Sequence, residues 1–130
     1  MKTIKFLIVS LLFIGGISAY SQQAKVIAVV NEASWCPVCK AHGERFMMLM
    51  PEYKDKDIVF VMNNLSDDNT AKESRRELEK LGVAEVIKNV TKTGIVTLID
   101  SGTLKIIETV SVSKSDEELR RAFNNALACK

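Results

Sequence analysis

Two of the three cysteines in this 130-residue chain stand three positions apart, in the stretch Trp35-Cys36-Pro37-Val38-Cys39-Lys40. A pair with this spacing can form a structural disulfide, supply two metal ligands, or act as a redox couple that opens and closes in use. A structural disulfide is the least suited of these roles, because it would close a very small loop and constrain the unfolded chain little. Metal binding and redox chemistry both remain open at this point.

The residues around the pair favour redox chemistry. The apolar run Val26–Val30 precedes it and a helical pattern begins at Pro37, so Cys36 is expected at the junction between a strand and a helix. Its sulfur would there lie near unpaired backbone N–H groups and the positive end of the helix dipole, which favour the nucleophilic thiolate. Cys39 would follow one helical turn later as a less accessible resolving thiol, with Trp35 shielding the site.

Other soft or titratable side chains have simpler interpretations. His42 extends the pair to a C-x2-C-x2-H cluster, and such a set could bind copper or zinc. The spacing is not a usual zinc pattern and no fourth ligand can be named, so no metal site is predicted. Met47, Met48 and Met50 are interpreted as core residues. Cys129, next to the C-terminus, is predicted to have no catalytic role, with intermolecular pairing or a third redox thiol as the alternatives.

The first half of the chain predicts a β-α-β unit. Val26–Val30 and Ile58–Met62 are continuous apolar runs, as in strands that are buried on both faces of a parallel sheet. The segment between them, Pro37–Met50, has helical spacing of its apolar residues and is followed by Pro51.

The second half predicts a helix, a hairpin and a last helix. Thr70–Glu73 has the pattern of a capping box and Gly82 suits the end of that helix. Ile95–Ile99 and Leu104–Glu108 flank a glycine-containing turn, which indicates a hairpin. Ser115–Glu118 is another capping box. The apolar stripe of the last helix consists of Leu119, Ala122, Phe123, Ala126 and Leu127.

The N-terminus has the pattern of a secretory signal peptide. Lys2 and Lys5 precede an apolar run that Gly15-Gly16 interrupts, and small residues follow. We therefore predict a signal peptide at 1–21, a single domain at 22–130, a periplasmic or secreted location, and no stable membrane insertion after processing. Processing would leave 16 acidic residues and an equal number of basic ones, so the charge does not favour nucleic-acid binding.

These motifs and this element order resemble the thioredoxin-like family. Trp35–Lys40 is similar to its W-C-x-x-C-[KR] site, and the Cys-Pro-x-Cys version is most similar to exported bacterial thiol–disulfide oxidoreductases of the TlpA/ResA-like group. The resemblance covers roughly residues 25–128. It implies an α/β, thioredoxin-like fold with a central sheet of about four strands, a β-α-β unit plus a β-hairpin, flanked by helices.

The resemblance also implies roles and partners. Cys36 attacks, Cys39 resolves, and no bound cofactor is required. The expected partners of the monomer are disulfide- or dithiol-bearing protein substrates and a redox partner. The residues expected to support the pair are Trp35, Pro37, Val38 and Lys40, together with Glu32, Ile95 and Val96.

Two positions depart from the family pattern. A loop facing the pair usually carries a cis-proline in G-[IV]-P-T, whereas Gly94–Thr97 reads Gly-Ile-Val-Thr and places Val96 where proline is expected. A cis peptide bond before valine would cost about 2.5–4 kcal/mol, so a trans bond is predicted, with Ile95 and Val96 near the cysteines. Val30 stands where many members have a buried acid, which leaves Glu32 as the nearest candidate for acid–base help.

Three functions are compatible with these patterns. The first is an exported thiol–disulfide oxidoreductase. The alternatives are a metal-binding or metallochaperone module on the same fold, and a non-catalytic binding domain that retains the cysteine pair. Neither the direction of electron flow nor the substrate follows from the sequence.

Overall fold

A computed structural model describes residues 24–129, so the predicted signal peptide lies outside the described residues. The strands are β1 Val26–Glu32, β2 Ile58–Asn64, β3 Ile95–Asp100 and β4 Ile106–Ser111. The helices are α1 Pro37–Leu49, α2 Asp68–Lys80, the short α3 Ala84–Ile87 and α4 Asp116–Ala128, with a 3-10 helix at Met50–Tyr53. No helix within the described range is long and apolar enough to cross a membrane.

The four strands form one mixed sheet in the order β2-β1-β3-β4. β1 runs parallel to β2 and antiparallel to β3, and β3 pairs with β4 as an antiparallel hairpin. Residues Val26 to Val30 of β1 are at most 3% exposed, because this strand has a neighbour on each side and helices over both faces. The predicted β-α-β unit and hairpin are therefore confirmed.

Helices cover the two faces of the sheet in pairs. Phe46 of α1 and Phe123 of α4 pack with Val30 and Val96 on one face. Leu78 of α2 and the buried residues of α3 pack with the alternate side chains of β1 on the other face. The site described below lies on the α1 and α4 side, at the end of β1.

The boundaries of two elements differ from the prediction. α2 begins at Asp68 because Asp67, not Thr70, is its N-cap, and the Thr70 N–H donates to the Asp67 carboxylate at 2.9 Å. β4 begins at Ile106 rather than Leu104, because Leu104 has a left-handed φ of 58° within a longer turn. The capping box of α4 at Ser115 is as predicted.

The interpretation of two methionines as core residues is wrong. Met47 is 50% exposed and Met48 is 74% exposed. Phe46 and Leu49 occupy the buried stripe of α1, which turns the two methionines outward. Met50 does pack against the core.

Candidate functional site

Cys36 lies at the junction of β1 and α1, as predicted. It is the N-cap of α1, and its sulfur accepts a hydrogen bond from the N–H of Cys39 at 3.2 Å. Its own N–H donates to the carbonyl of Ala33 at 3.1 Å, which closes the turn before the helix. Pro37 occupies the first helical position, and the first turn of α1 contains no acidic residue. The helix N-terminus is therefore directed at a sulfur and has no competing anion of its own.

Cys36 and Cys39 form a disulfide whose Cα atoms are 5.3 Å apart. This distance is in the usual range for a disulfide, so the backbone of the first helical turn already brings the two residues into position. Within residues 24–129, the free cysteine is Cys129, which is exposed and caps the C-terminus of α4. The two sulfurs are therefore held within bonding distance of each other by one turn of helix.

Cys39 was expected to be the less accessible of the two cysteines, and the structure shows the reverse. Cys36 is 1% exposed in the disulfide form, whereas Cys39 is half-buried. The turn before α1 and the segment that approaches from β3 cover Cys36, and the Cys39 side of the disulfide faces outward. In the disulfide form Cys39 is therefore the more accessible of the two residues, and access to Cys36 depends on the residues that cover it.

Gly94 lies close to the Cys36 sulfur. Its φ is +75°, and a Cβ atom at this residue would lie 2.9 Å from Val38 Cγ1 and 3.5 Å from Cys36 Sγ. The Gly94 N–H donates to the carbonyl of Asn31 at 2.8 Å, and its carbonyl accepts from the N–H of Val112 at 3.0 Å. Glycine is required here both for the backbone conformation and for the close approach.

Ile95 and Val96, which were expected near the cysteines, are both buried in β3. Val96 is fully buried in the core two residues beyond Gly94, opposite Val30 of β1. Ile95 points to the opposite face of the sheet, because side chains alternate along β3. Every peptide bond in the described range is trans, including the one before Val96. The close approach to the pair is made by Gly94, which immediately precedes β3.

Residues around the turn hold an exposed tryptophan beside the pair. Trp35 is 56% exposed, and its indole N–H donates to the carbonyl of Ser66 at 3.2 Å. The Ser66 hydroxyl accepts from the N–H of Ser34 at 2.8 Å. Ser66 was not predicted, since nothing in its local sequence relates it to the turn. Pro37 and Lys40 are exposed nearby.

Cys39 lines two cavities, and Glu32 lines both of them. The first has a volume of about 290 Å³ and the second about 280 Å³. The first is mainly apolar, with Glu32 and Glu44 as its carboxylates; its other lining residues include Val30, Phe46, Met47, Met62 and Val112. Val30 and Met62 are register partners, so apolar side chains line this cavity at the position where many thioredoxin-like proteins have a buried acid. Glu32 is therefore the acidic residue that shares both cavities with Cys39.

The C-x2-C-x2-H sequence pattern that includes His42 does not form a recognisable metal site in the described residues. His42 is half-buried on α1. Among residues 24–129, no group of three or more histidine, cysteine, aspartate or glutamate side chains has an arrangement that could hold a metal ion.

Comparisons with known proteins identify the fold. No family model and no curated protein matches the sequence. Among solved structures, Fasciola hepatica thioredoxin matches with a TM-score of 0.51 and 18% identity, over 80% of this chain and 83% of that one. DsbF from MTB, solved in mixed oxidized and reduced forms, matches with a TM-score of 0.54 and 17% identity, over 79% and 81%.

A third match is a thiol:disulfide interchange protein of the thioredoxin family from Chlorobium tepidum. Its TM-score is 0.54 at 16% identity, over 81% of each chain. These values confirm the predicted fold class. The described part of this chain has a thioredoxin-like fold that carries a CxxC disulfide, Cys36–Cys39, where its first strand meets its first helix.

Proposed function

We propose that this protein is an exported thiol–disulfide oxidoreductase that exchanges disulfides through Cys36 and Cys39. The observation that carries the proposal is the capping of α1 by the Cys36 sulfur, with no acid in the first helical turn. Backbone N–H groups and the helix dipole favour the thiolate at this position, and thiolate is the reactive form. A CxxC disulfide on a thioredoxin-like fold supports this activity.

The reaction proceeds through a mixed disulfide. The thiolate of Cys36 attacks one sulfur of a substrate disulfide, forms a new S–S bond and releases the other substrate sulfur as a thiolate. Cys39, once deprotonated, attacks the Cys36 sulfur and releases the second substrate thiolate, which solvent protonates. Two electrons pass to the substrate, and the Cys36–Cys39 disulfide remains. A dithiol redox partner returns the pair to the reduced state, and the reverse sequence oxidises a dithiol.

Glu32 is proposed to accept the proton of Cys39 in the resolving step. It lines both cavities next to Cys39, whereas Glu44 lines only one of them. Glu32→Gln should slow release of the substrate from the mixed disulfide and alter the pH dependence of that step. Glu44→Gln is the matched control and should change neither; equal effects of the two substitutions would remove the assignment.

The surroundings of the pair favour protein or peptide substrates. Trp35 offers an exposed aromatic surface on one side, and Met47 lies at the mainly apolar cavity on the other. Such side chains provide adaptable contact area to an extended chain. The exported location rests on the signal-peptide pattern at 1–21 and predicts that a bacterial host releases a processed protein beginning near residue 22.

Reduction of insulin by dithiothreitol, followed by turbidity, tests the activity. The wild type and Cys129→Ser should accelerate the reaction to the same extent, while Cys36→Ser and Cys39→Ser should lose nearly all acceleration. Cys39→Ser should also accumulate mixed disulfides through Cys36, because the resolving thiol is absent. Adducts on Cys36→Ser instead would reverse the two roles, and activity that depends on Cys129 alone would contradict the proposal.

A further inference from the structure

A buried pair of asparagines lies beside the site, on the opposite face of the sheet. Asn31 is 1% exposed and Asn63 is 6% exposed, and they are register partners in β1 and β2. Asparagine is seldom buried to this extent, and its amide must then be satisfied by hydrogen bonds. The proposed reaction uses neither residue, so the pair requires a separate explanation.

The orientation of both amides follows from their partners. Asn31 Nδ2 donates to the carbonyl of Val90 at 2.8 Å and to the carbonyl of Lys92 at 3.0 Å. Both of its N–H groups are therefore used, and its Oδ1 is left to accept. Asn63 Nδ2 donates to that oxygen at 2.9 Å. Asn63 thus holds the amide of Asn31 in the orientation that binds the two carbonyls.

Those carbonyls belong to the irregular segment between α3 and β3, which ends at Gly94. Residues 90–94 are in neither a helix nor a strand, so their backbone groups depend on partners elsewhere. Asn31 holds this segment at three points, because its side chain binds Val90 and Lys92 and its own carbonyl accepts from the Gly94 N–H at 2.8 Å.

We infer that Asn31, supported by Asn63, is a positioning residue that keeps Gly94 over the Cys36 sulfur and so controls access to that sulfur. The Cβ position of Gly94 is 3.5 Å from Cys36 Sγ, and Cys36 is 1% exposed. Release of residues 90–94 would uncover the Cys36 sulfur. The Asn31 side chain does not cover that sulfur itself, since it lies on the other face of the sheet, so Asn31 acts through the segment that it holds. The functional meaning of this control rests on the proposed role of Cys36 as the attacking residue.

Alkylation of the reduced protein by iodoacetamide, read at Cys36 by mass spectrometry, tests the inference in a Cys129→Ser background. The double variant Asn31→Leu/Asn63→Leu removes both side-chain bonds to the segment, keeps the backbone bond between Asn31 and Gly94, and leaves an apolar pair in place of the two amides. Cys36 of this variant should react about tenfold faster, because the net stabilisation from two hydrogen bonds no longer opposes the opening of residues 90–94. Rates over a pH series, extrapolated to the fully ionised thiol, separate access from any change in pKa.

Asn63→Leu alone separates the two residues, because it keeps the donors of Asn31 but removes the group that orients its amide. Its Cys36 should react faster than in the background and more slowly than in the double variant. Asn31→Thr retains a single donor in a residue suited to a strand, and should give a smaller increase if the double variant does not fold.

Unchanged or slower alkylation in both the double variant and Asn31→Thr would show that the asparagines serve stability alone. Because alkylation needs no substrate, this result is independent of insulin reduction. A protein that fails to reduce insulin but shows the predicted rates would lose the proposed function and keep the role of Asn31.

Discussion

The two helices that pack on the same face of the sheet begin in opposite ways. α4 has a complete capping box, in which the Ser115 hydroxyl accepts from the N–H of Glu118 at 3.2 Å and the Glu118 carboxylate accepts from the N–H of Ser115 at 3.0 Å. Asp116 and Glu117 add two more acids to its first turn. α1 has no acid in its first turn and is capped by the Cys36 sulfur.

The difference shows which of the two N-termini is available for chemistry. Carboxylates at a helix N-terminus stabilise the helix through its dipole and its free N–H groups, and α4 uses them for that purpose. The same acids in α1 would compete with a thiolate for those groups. α1 instead begins with Pro37, whose fixed φ suits the first helical position without adding charge.

Among substitutions near the N-terminus of α1, Gly94→Ala should have the largest effect on stability and activity. The new methyl group would meet Val38 Cγ1 at 2.9 Å in a backbone with φ +75°, so we expect a loss of about 2 kcal/mol or more in the free energy of unfolding. Insulin reduction should also slow. Denaturation by urea and the turbidity assay measure the two effects.

Gly82→Ala is the control for backbone strain. Gly82 has a φ of +76° with no atom within 4 Å of the Cβ position, so the substitution should cost only about 1 kcal/mol and leave activity unchanged. Equal losses of stability in the two variants would show that Gly94 does not approach the pair closely.

Substitutions of the two N-cap residues test the contrast between the two helices. Ser115→Ala should lower the free energy of unfolding by about 1 kcal/mol without changing insulin reduction. Cys36→Ser should retain the cap of α1, and with it the stability of the reduced wild type, yet lose activity. A severe loss of stability in Cys36→Ser would contradict the view that this cap is there for chemistry.

The capping box of α4 should also appear in the pH dependence of stability. Hydrogen bonds from the N–H and then the hydroxyl of Ser115 lower the pKa of Glu118 below its ordinary 4.5. The stabilisation is therefore fully present above pH 4.5 and is lost as the pH falls through the lower folded-state value. Between pH 5 and 3, the free energy of unfolding measured by urea denaturation should fall less in Glu118→Gln than in the wild type. Parallel pH dependences of the two proteins would contradict this role of Glu118.

The smallest effect should follow a new acid at the α1 N-terminus. Lys40→Glu places a negative charge near the Cys36 sulfur, so the pKa of that thiol should rise by a few tenths of a unit, and more at low salt. The pH profile of alkylation measures it. Lys54→Glu, the same change at an exposed lysine outside the site, should leave the profile as it is.

The sequence predicted the elements whose signals are local. The stripe and capping box of α4 lie within one helix, and the cysteine pair lies within one turn, so their positions did not depend on the rest of the chain. Gly94 was missed because its contact with Cys36 depends on how β3 aligns with β1, and a family pattern suggested Val96 instead. Residues brought together by sheet register were the ones that local patterns could not identify.

The asparagine pair was missed although a signal for it was present. Asn31 and Asn63 each follow a run of five apolar residues, in two strands that were already predicted to pair in parallel. Equal spacing in paired parallel strands places them side by side, as observed. Their bonds to the segment before Gly94 could not be predicted, since residues 90–94 have no repeating pattern to place them.

A redox titration of the Cys36–Cys39 pair tests the central claim most directly. Protein equilibrated in glutathione or dithiothreitol buffers, quenched with acid and alkylated, gives the reduced fraction by mass spectrometry. We predict a two-electron transition at a potential between about −270 and −120 mV, the range of exchange-active pairs on this fold. A potential below about −300 mV is typical of structural disulfides. Such a value would show that Cys36–Cys39 is a structural disulfide and would contradict its role in disulfide exchange.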